Sequence, residues 1–114
     1  MNRGARLLCA MALGLMTLNI GAQPSDDSRI RTLIRMVRQD CGSCHGMRLT
    51  GGLGPALTKE ALADKPVASL AATIYSGRPG TPMPGWRAMM TEEEAMWIAK
   101  NLQWGFPEEP VNTR

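Results

Sequence analysis

Two cysteines and a histidine are the densest chemistry in this 114-residue chain, in the run Cys41-Gly42-Ser43-Cys44-His45. That spacing is what covalent attachment of a haem requires. The two thiols add across the two vinyl groups of the porphyrin, and one helical turn sets both sulfurs along one macrocycle edge. The next residue is then placed to offer its imidazole to the iron.

Rival uses of these residues fail on count. A closed zinc site wants four ligands, but His45 is the only His, and the one further thiol, Cys9, lies in an N-terminal apolar run. A thioredoxin-like dithiol belongs in a βαβ setting, and no strand pattern surrounds the pair. A disulfide across this spacing would be a strained staple.

The single His also leaves the iron's other axial position to a Met, another side chain or water. Beyond the apolar run the candidates are Met36, Met47, Met83, Met89, Met90 and Met96. Met47 follows His45 too closely to reach the opposite face. Met36 and Met96 fall in predicted helices, where Met serves as packing. Met89 and Met90 stand just before a helix start and stay open. Met83 sits in Gly80-Thr81-Pro82-Met83-Pro84-Gly85-Trp86. Its two prolines fix φ and remove two donors, so a stiff loop presents one thioether.

Helices must position these groups. Ser25-Asp26-Asp27-Ser28 reads as a helix start, and Ile30, Leu33, Ile34 and Val37 recur on one face. This helix is expected to run into Cys41, with Arg29, Arg31, Arg35 and Arg38 forming a solvated face. Residues 46–57 carry Gly51, Gly52, Gly54 and Pro55, and read as a loop wrapped close to a haem edge. Pro66 reads as the first residue of a short helix bearing Val67, Leu70, Ala71, Ile74 and Tyr75, which stops at Gly77. Thr91-Glu92-Glu93-Glu94 is a capping box opening the last helix. Ala95, Ile98, Ala99 and Leu102 form its apolar face, Gly105 its stop, and Trp104 and Phe106 are expected to pack back on the body. The fold class is all-α, with three to four short helices and long loops.

Ahead of all this, Arg3 and Arg6 precede the apolar run from Leu7 to Ile20, and Ile20-Gly21-Ala22 resembles a cleavage site. Residues 1–22 read as an export signal. The run is shorter than the roughly 20 residues that span a bilayer as a helix, so no membrane insertion is expected after cleavage. Residues 23–107 form the predicted domain, and the polar residues 108–114 a mobile tail. Losing Arg3 and Arg6 takes the 13 basic residues to 11 against 10 acidic. That near balance lacks the basic stripe of a nucleic-acid binder. With one Phe, one Tyr and three Trp in the whole chain, the core is thin for so small a domain, and a buried macrocycle would supply the missing apolar surface.

Taken in order, Cys-Gly-Ser-Cys-His, Gly54-Pro55-Ala56-Leu57, Thr81-Pro82-Met83-Pro84 and Thr91-Glu92-Glu93-Glu94 resemble a class I cytochrome c across nearly all of residues 28–104. Around residues 48–55 the chain is most similar to the NirC-type cytochromes encoded beside haem-cd nitrite reductases in denitrifying bacteria. The resemblance implies the class I cytochrome c fold around one haem c. It makes Cys41 and Cys44 the thioether attachments, His45 the proximal ligand and Met83 the distal one. It also gives the Pro55 carbonyl the task of holding the second ring nitrogen of His45. Asn101 stands where the class usually has an aromatic, and the first helix lacks the usual Gly at the crossing. The helix contact is therefore expected to use Trp97 or Trp104.

The function implied is a periplasmic one-electron carrier, not an enzyme. Its expected partners are an upstream electron donor and, as acceptor, the haem-cd nitrite reductase. The alternatives are an accessory role in maturing that reductase's special haem, or an open-iron sensor or peroxidase, which would require Met83 to be unbound.

Overall fold

The apolar period of the first segment decides how the chain enters its core. The computed structural model describes residues 26–111, and helices are the only regular elements among them. The export signal expected over 1–22, the capping expected of Ser25 and the last three residues of the tail lie outside the described residues. Helix α1 (Asp26–Met36) opens with Asp26 and Asp27 in its first turn, where carboxylates favour the helix dipole. Leu33, Ile34 and Val37 are buried, as the 3.6-residue period requires.

The helical course continues into the attachment motif, but through a π-helical turn, Val37–Cys41, before α2 (Gly42–His45). Such insertions often stand at functional sites. Here Val37 and Arg38, neighbours in sequence, are both buried.

Helix α3 (Lys59–Leu62) is a single turn that the sequence does not advertise, because four residues show no period. Thr58 caps it by accepting the Ala61 N–H at 3.3 Å. Gln103 fastens it from the far helix, donating to the Leu62 and Lys65 carbonyls at 2.8 and 2.6 Å. Helix α4 is Val67–Ser76. Pro66 is its cap and not its first residue, with ψ at 130° and its carbonyl accepting from Ser69 and Leu70.

Helix α5 (Glu92–Trp104) begins at a complete capping box: the Thr91 hydroxyl takes the Glu94 N–H and the Glu94 carboxylate takes the Thr91 N–H. Ala95, Ile98, Ala99 and Leu102 are all buried. They meet Leu33, Val37, Leu62, Ala71, Ile74, Met90 and Phe106 in one core.

Two sequence expectations need correction. Trp104 does not pack back; it is 85 % exposed, while Phe106 is buried. Gly105, at φ 105°, turns the chain so that only the second aromatic faces inward. Trp97, one of the two residues expected near the helix crossing, meets the Phe106 ring edge-on at 6.1 Å and lines, with Ile30 and Leu33, a cavity between α1 and α5. The arginine run is not a uniform solvated face either. Arg38 is buried beneath the C-terminal strap, donating to the Phe106 and Pro107 carbonyls at 2.6 and 3.0 Å. Its guanidinium also lies over the Phe106 ring. Arg29 is committed to Glu94. The strap continues with Glu108 on Arg38 and Glu109 on Gln39. No helix among the described residues is long and apolar enough to cross a membrane.

Candidate haem site

Helix α2 delivers His45 to the start of a loop that folds back on its own origin. Gly51 N–H donates to the His45 carbonyl and Gly54 N–H to the Cys44 carbonyl, each at 2.8 Å. This return brings the Pro55 carbonyl 2.7 Å from His45 Nδ1. A carbonyl can only accept, so Nδ1 carries the proton and Nε2 keeps its lone pair. Nε2 is thereby the nitrogen available to a metal.

Gly54 lies against the imidazole. A Cβ there would stand 2.7 Å from Cε1 and 2.8 Å from Nδ1 of His45. The ring is thus held by a hydrogen bond at one nitrogen and by backbone against its face. The loop also carries a strained residue, since buried Leu49 has φ 60°. A left-handed non-Gly residue costs about 1 kcal/mol or more. Its N–H donates to Gly46 and its carbonyl accepts from Leu57, which fastens the loop at both ends.

Cys41 is half-buried against the core, and Cys44 is exposed. Burial pushes the Cys41 thiol up to about 11, and the neighbouring Asp40 carboxylate adds to the rise. A thiolate zinc ligand or a reactive dithiol needs the opposite shift. A neutral thioether suits the site, because it has no charge to desolvate.

Met83 comes from a second loop, between α4 and α5, anchored to α4. Trp86 N–H donates to the Ile74 carbonyl at 3.1 Å and Arg87 N–H to the Tyr75 carbonyl at 3.2 Å, satisfying the open end of α4. Gly77, at φ 76°, lets the loop close; a Cβ there would meet Gly85 N at 2.5 Å. Met83 itself is half-buried, its N–H on the Thr81 hydroxyl and its carbonyl on Arg78 N–H. Of the other methionines, Met36 and Met90 are buried in the core, while Met47 and Met89 are exposed. The imidazole and the two sulfurs therefore fit a covalently bound haem, and Met83 and Met96 are the half-buried methionines among the described residues. Sequence alone did not single out Gly54 as the imidazole's wall or Leu49 as a strained fastening point of the loop. A cluster of glycines just after the attachment motif was the only signal for either.

A family profile described as cytochrome C oxidase, cbb3-type, subunit III matches residues 28–101. The chain belongs to this family of c-type cytochromes: it has the class I cytochrome c fold, binds covalent haem c with its iron, and transfers electrons without catalysing a reaction. It is similar to cytochrome c55X of Stutzerimonas stutzeri, 51 % identical over 104 residues that cover 90 % of this chain and 91 % of the relative. Among solved structures it is similar to a c-type cytochrome NirC, with 54 % identity and a TM-score of 0.69 over 70 % of this chain and 94 % of that one. It also resembles a part of the dihydro-heme d1 dehydrogenase NirN in complex with DHE, with 30 % identity and a TM-score of 0.55. That match covers 69 % of this chain and 16 % of the dehydrogenase.

Proposed function

We propose that this cytochrome is a periplasmic one-electron carrier of denitrification, taking electrons from an upstream donor and passing them to a haem-cd nitrite reductase. Cys41 and Cys44 would hold the haem as thioethers, with His45 Nε2 as the proximal ligand and the Met83 sulfur as the distal one. The observation that carries this reading is the 2.7 Å contact between His45 Nδ1 and the Pro55 carbonyl, which orients one imidazole for axial ligation. The haem supplies a reversible one-electron couple. Met83, a soft thioether, favours the reduced iron and raises the potential relative to a second imidazole. With His45 and Met83 both on the iron, no coordination position would be left for a substrate. The basic n-region and short apolar run of residues 1–22 support export.

The test is spectroscopic. The precursor, expressed with a cytochrome c maturation system, should keep its haem through acid-acetone extraction. Its ferric form should show the weak red charge-transfer band of Met-ligated iron, and Met83→Ala should lack it. Covalent haem without that band in the parent would remove Met83 as ligand, and rapid carbon monoxide or cyanide binding would then favour an open-iron role.

A second reading is favoured by the likeness to one part of a dihydro-heme d1 dehydrogenase: the cytochrome serves the maturation of the reductase's special haem. A deletion strain separates the two. A fully assembled reductase with lost nitrite reduction supports the carrier, and a reductase lacking its special haem supports maturation.

A further inference from the structure

One ion-pair cluster is left unused by the axial-ligand reading. Arg29, in the first part of α1, reaches the start of α5 and grips both carboxylate oxygens of Glu94, Nε to Oε1 at 2.5 Å and Nη2 to Oε2 at 2.8 Å. The same Nη2 donates to the Met89 carbonyl at 2.8 Å. Glu94 meanwhile accepts the Thr91 N–H at 2.8 Å as part of the capping box. One guanidinium therefore joins α1, the cap of α5, and the final residues of the loop that carries Met83.

That loop has two ends. Residues 77–87 are laced to α4 through the Gly77, Trp86 and Arg87 N–H groups, with the Arg78 N–H closing on the Met83 carbonyl within the loop. Beyond Arg87 the return to α5 is held by the buried Met90 side chain and by Arg29 on the Met89 carbonyl. We propose that Arg29 is a positioning residue for the distal ligand, its clamp on Met89 and Glu94 closing the Met83 loop and keeping the thioether in place. The proposal rests on the reading of Met83 as distal ligand. Releasing the thioether requires the loop to swing away, and the clamp is one of the contacts that swing must break. A two-pronged, charge-assisted contact is worth more than a single surface ion pair. Lys has one point charge and cannot hold the carboxylate and the carbonyl in the same fork.

An outside ligand reports this directly, because its apparent affinity scales with the fraction of molecules whose loop is open. The ferric holoprotein would be titrated with imidazole and followed in the visible spectrum, in the parent, Arg29→Met, Arg29→Lys, Met83→Ala and the Arg29→Met/Met83→Ala double variant. Arg29→Met should raise imidazole affinity about tenfold or more, with Arg29→Lys between it and the parent. In the double variant the effect should vanish, leaving the affinity of Met83→Ala alone. Glu94→Gln, which keeps the capping acceptor and loses the charge, should move in the same direction even where Arg29→Met folds poorly. Leu102→Ala, a core change that leaves both Arg29 contacts intact, should leave the affinity within about twofold of the parent.

Arg29 variants that bind imidazole like the parent overturn the proposal. So does an equal rise in the Met83→Ala background or from Leu102→Ala, since either shows general loosening. A Met83→Ala protein no more receptive than the parent removes the distal-ligand reading itself, and the clamp's function with it.

Discussion

Gly54 shows how narrowly the His45 side chain is placed. Its φ lies outside the left-handed region, so Ala fits the backbone there. The added methyl would instead press on a ring that the Pro55 carbonyl holds at Nδ1. Gly54→Ala is therefore expected to tilt the imidazole and to cost about 1–3 kcal/mol, the usual penalty for overpacking. Denaturant unfolding of the holoprotein checks the cost, and a shifted ferric spectrum checks the tilt. An unchanged midpoint and spectrum would show that the ring has room to move. Cys41 makes a related point, since burial favours its uncharged sulfur. The motif itself was legible residue by residue. The wall behind His45 was not, because it depends on how the loop returns.

Among elements, the capping box of α5 was readable from Thr91 and Glu94, but its third member was not. Arg29 comes from another helix, and sequence places it only within a run of arginines. The pair carries a pH dependence whose sign follows from the shift. The Arg29 guanidinium holds the Glu94 carboxyl below the usual carboxylate range, aided by the Thr91 N–H, and Arg29 is raised in turn. The stabilisation is thus fully present above the carboxylate's unfolded pKa. It is lost as pH falls through the lowered folded value. Thermal melts of the parent and Glu94→Gln between neutral and acid pH should converge at the acid end. Curves that stay parallel throughout would show that Glu94 contributes nothing through its charge.

Across the whole molecule, the C-terminal strap closes the core that the helices leave open. Phe106 is buried and covers the Arg38 guanidinium, whereas Trp104, two residues earlier, projects into solvent. Phe106→Ala should cost about 3 kcal/mol or more, while Trp104→Ala should stay within about 0.5 kcal/mol. Urea unfolding of the two variants tests the contrast, and similar midpoints would mean that the strap is not part of the cooperative unit. The outer link from Arg38 to Glu108 adds little, since the Glu108 side chain is 88 % exposed.

By itself the sequence determined the haem-attachment motif and the longer helices. Cys41, Cys44 and His45 are neighbours, and a short-range motif keeps its meaning in any fold that leaves it accessible. The helix faces of α1 and α5 were equally plain, because burial imposes a period that residues a turn apart display. Tertiary structure alone decided which arginine is clamped, which is buried and which aromatic is inside. Those outcomes depend on backbone carbonyls and side chains sixty or more residues away, Glu94 for Arg29 and the Phe106 and Pro107 carbonyls for Arg38. A hydrogen-bond partner brought together by folding leaves no local period in the chain to read.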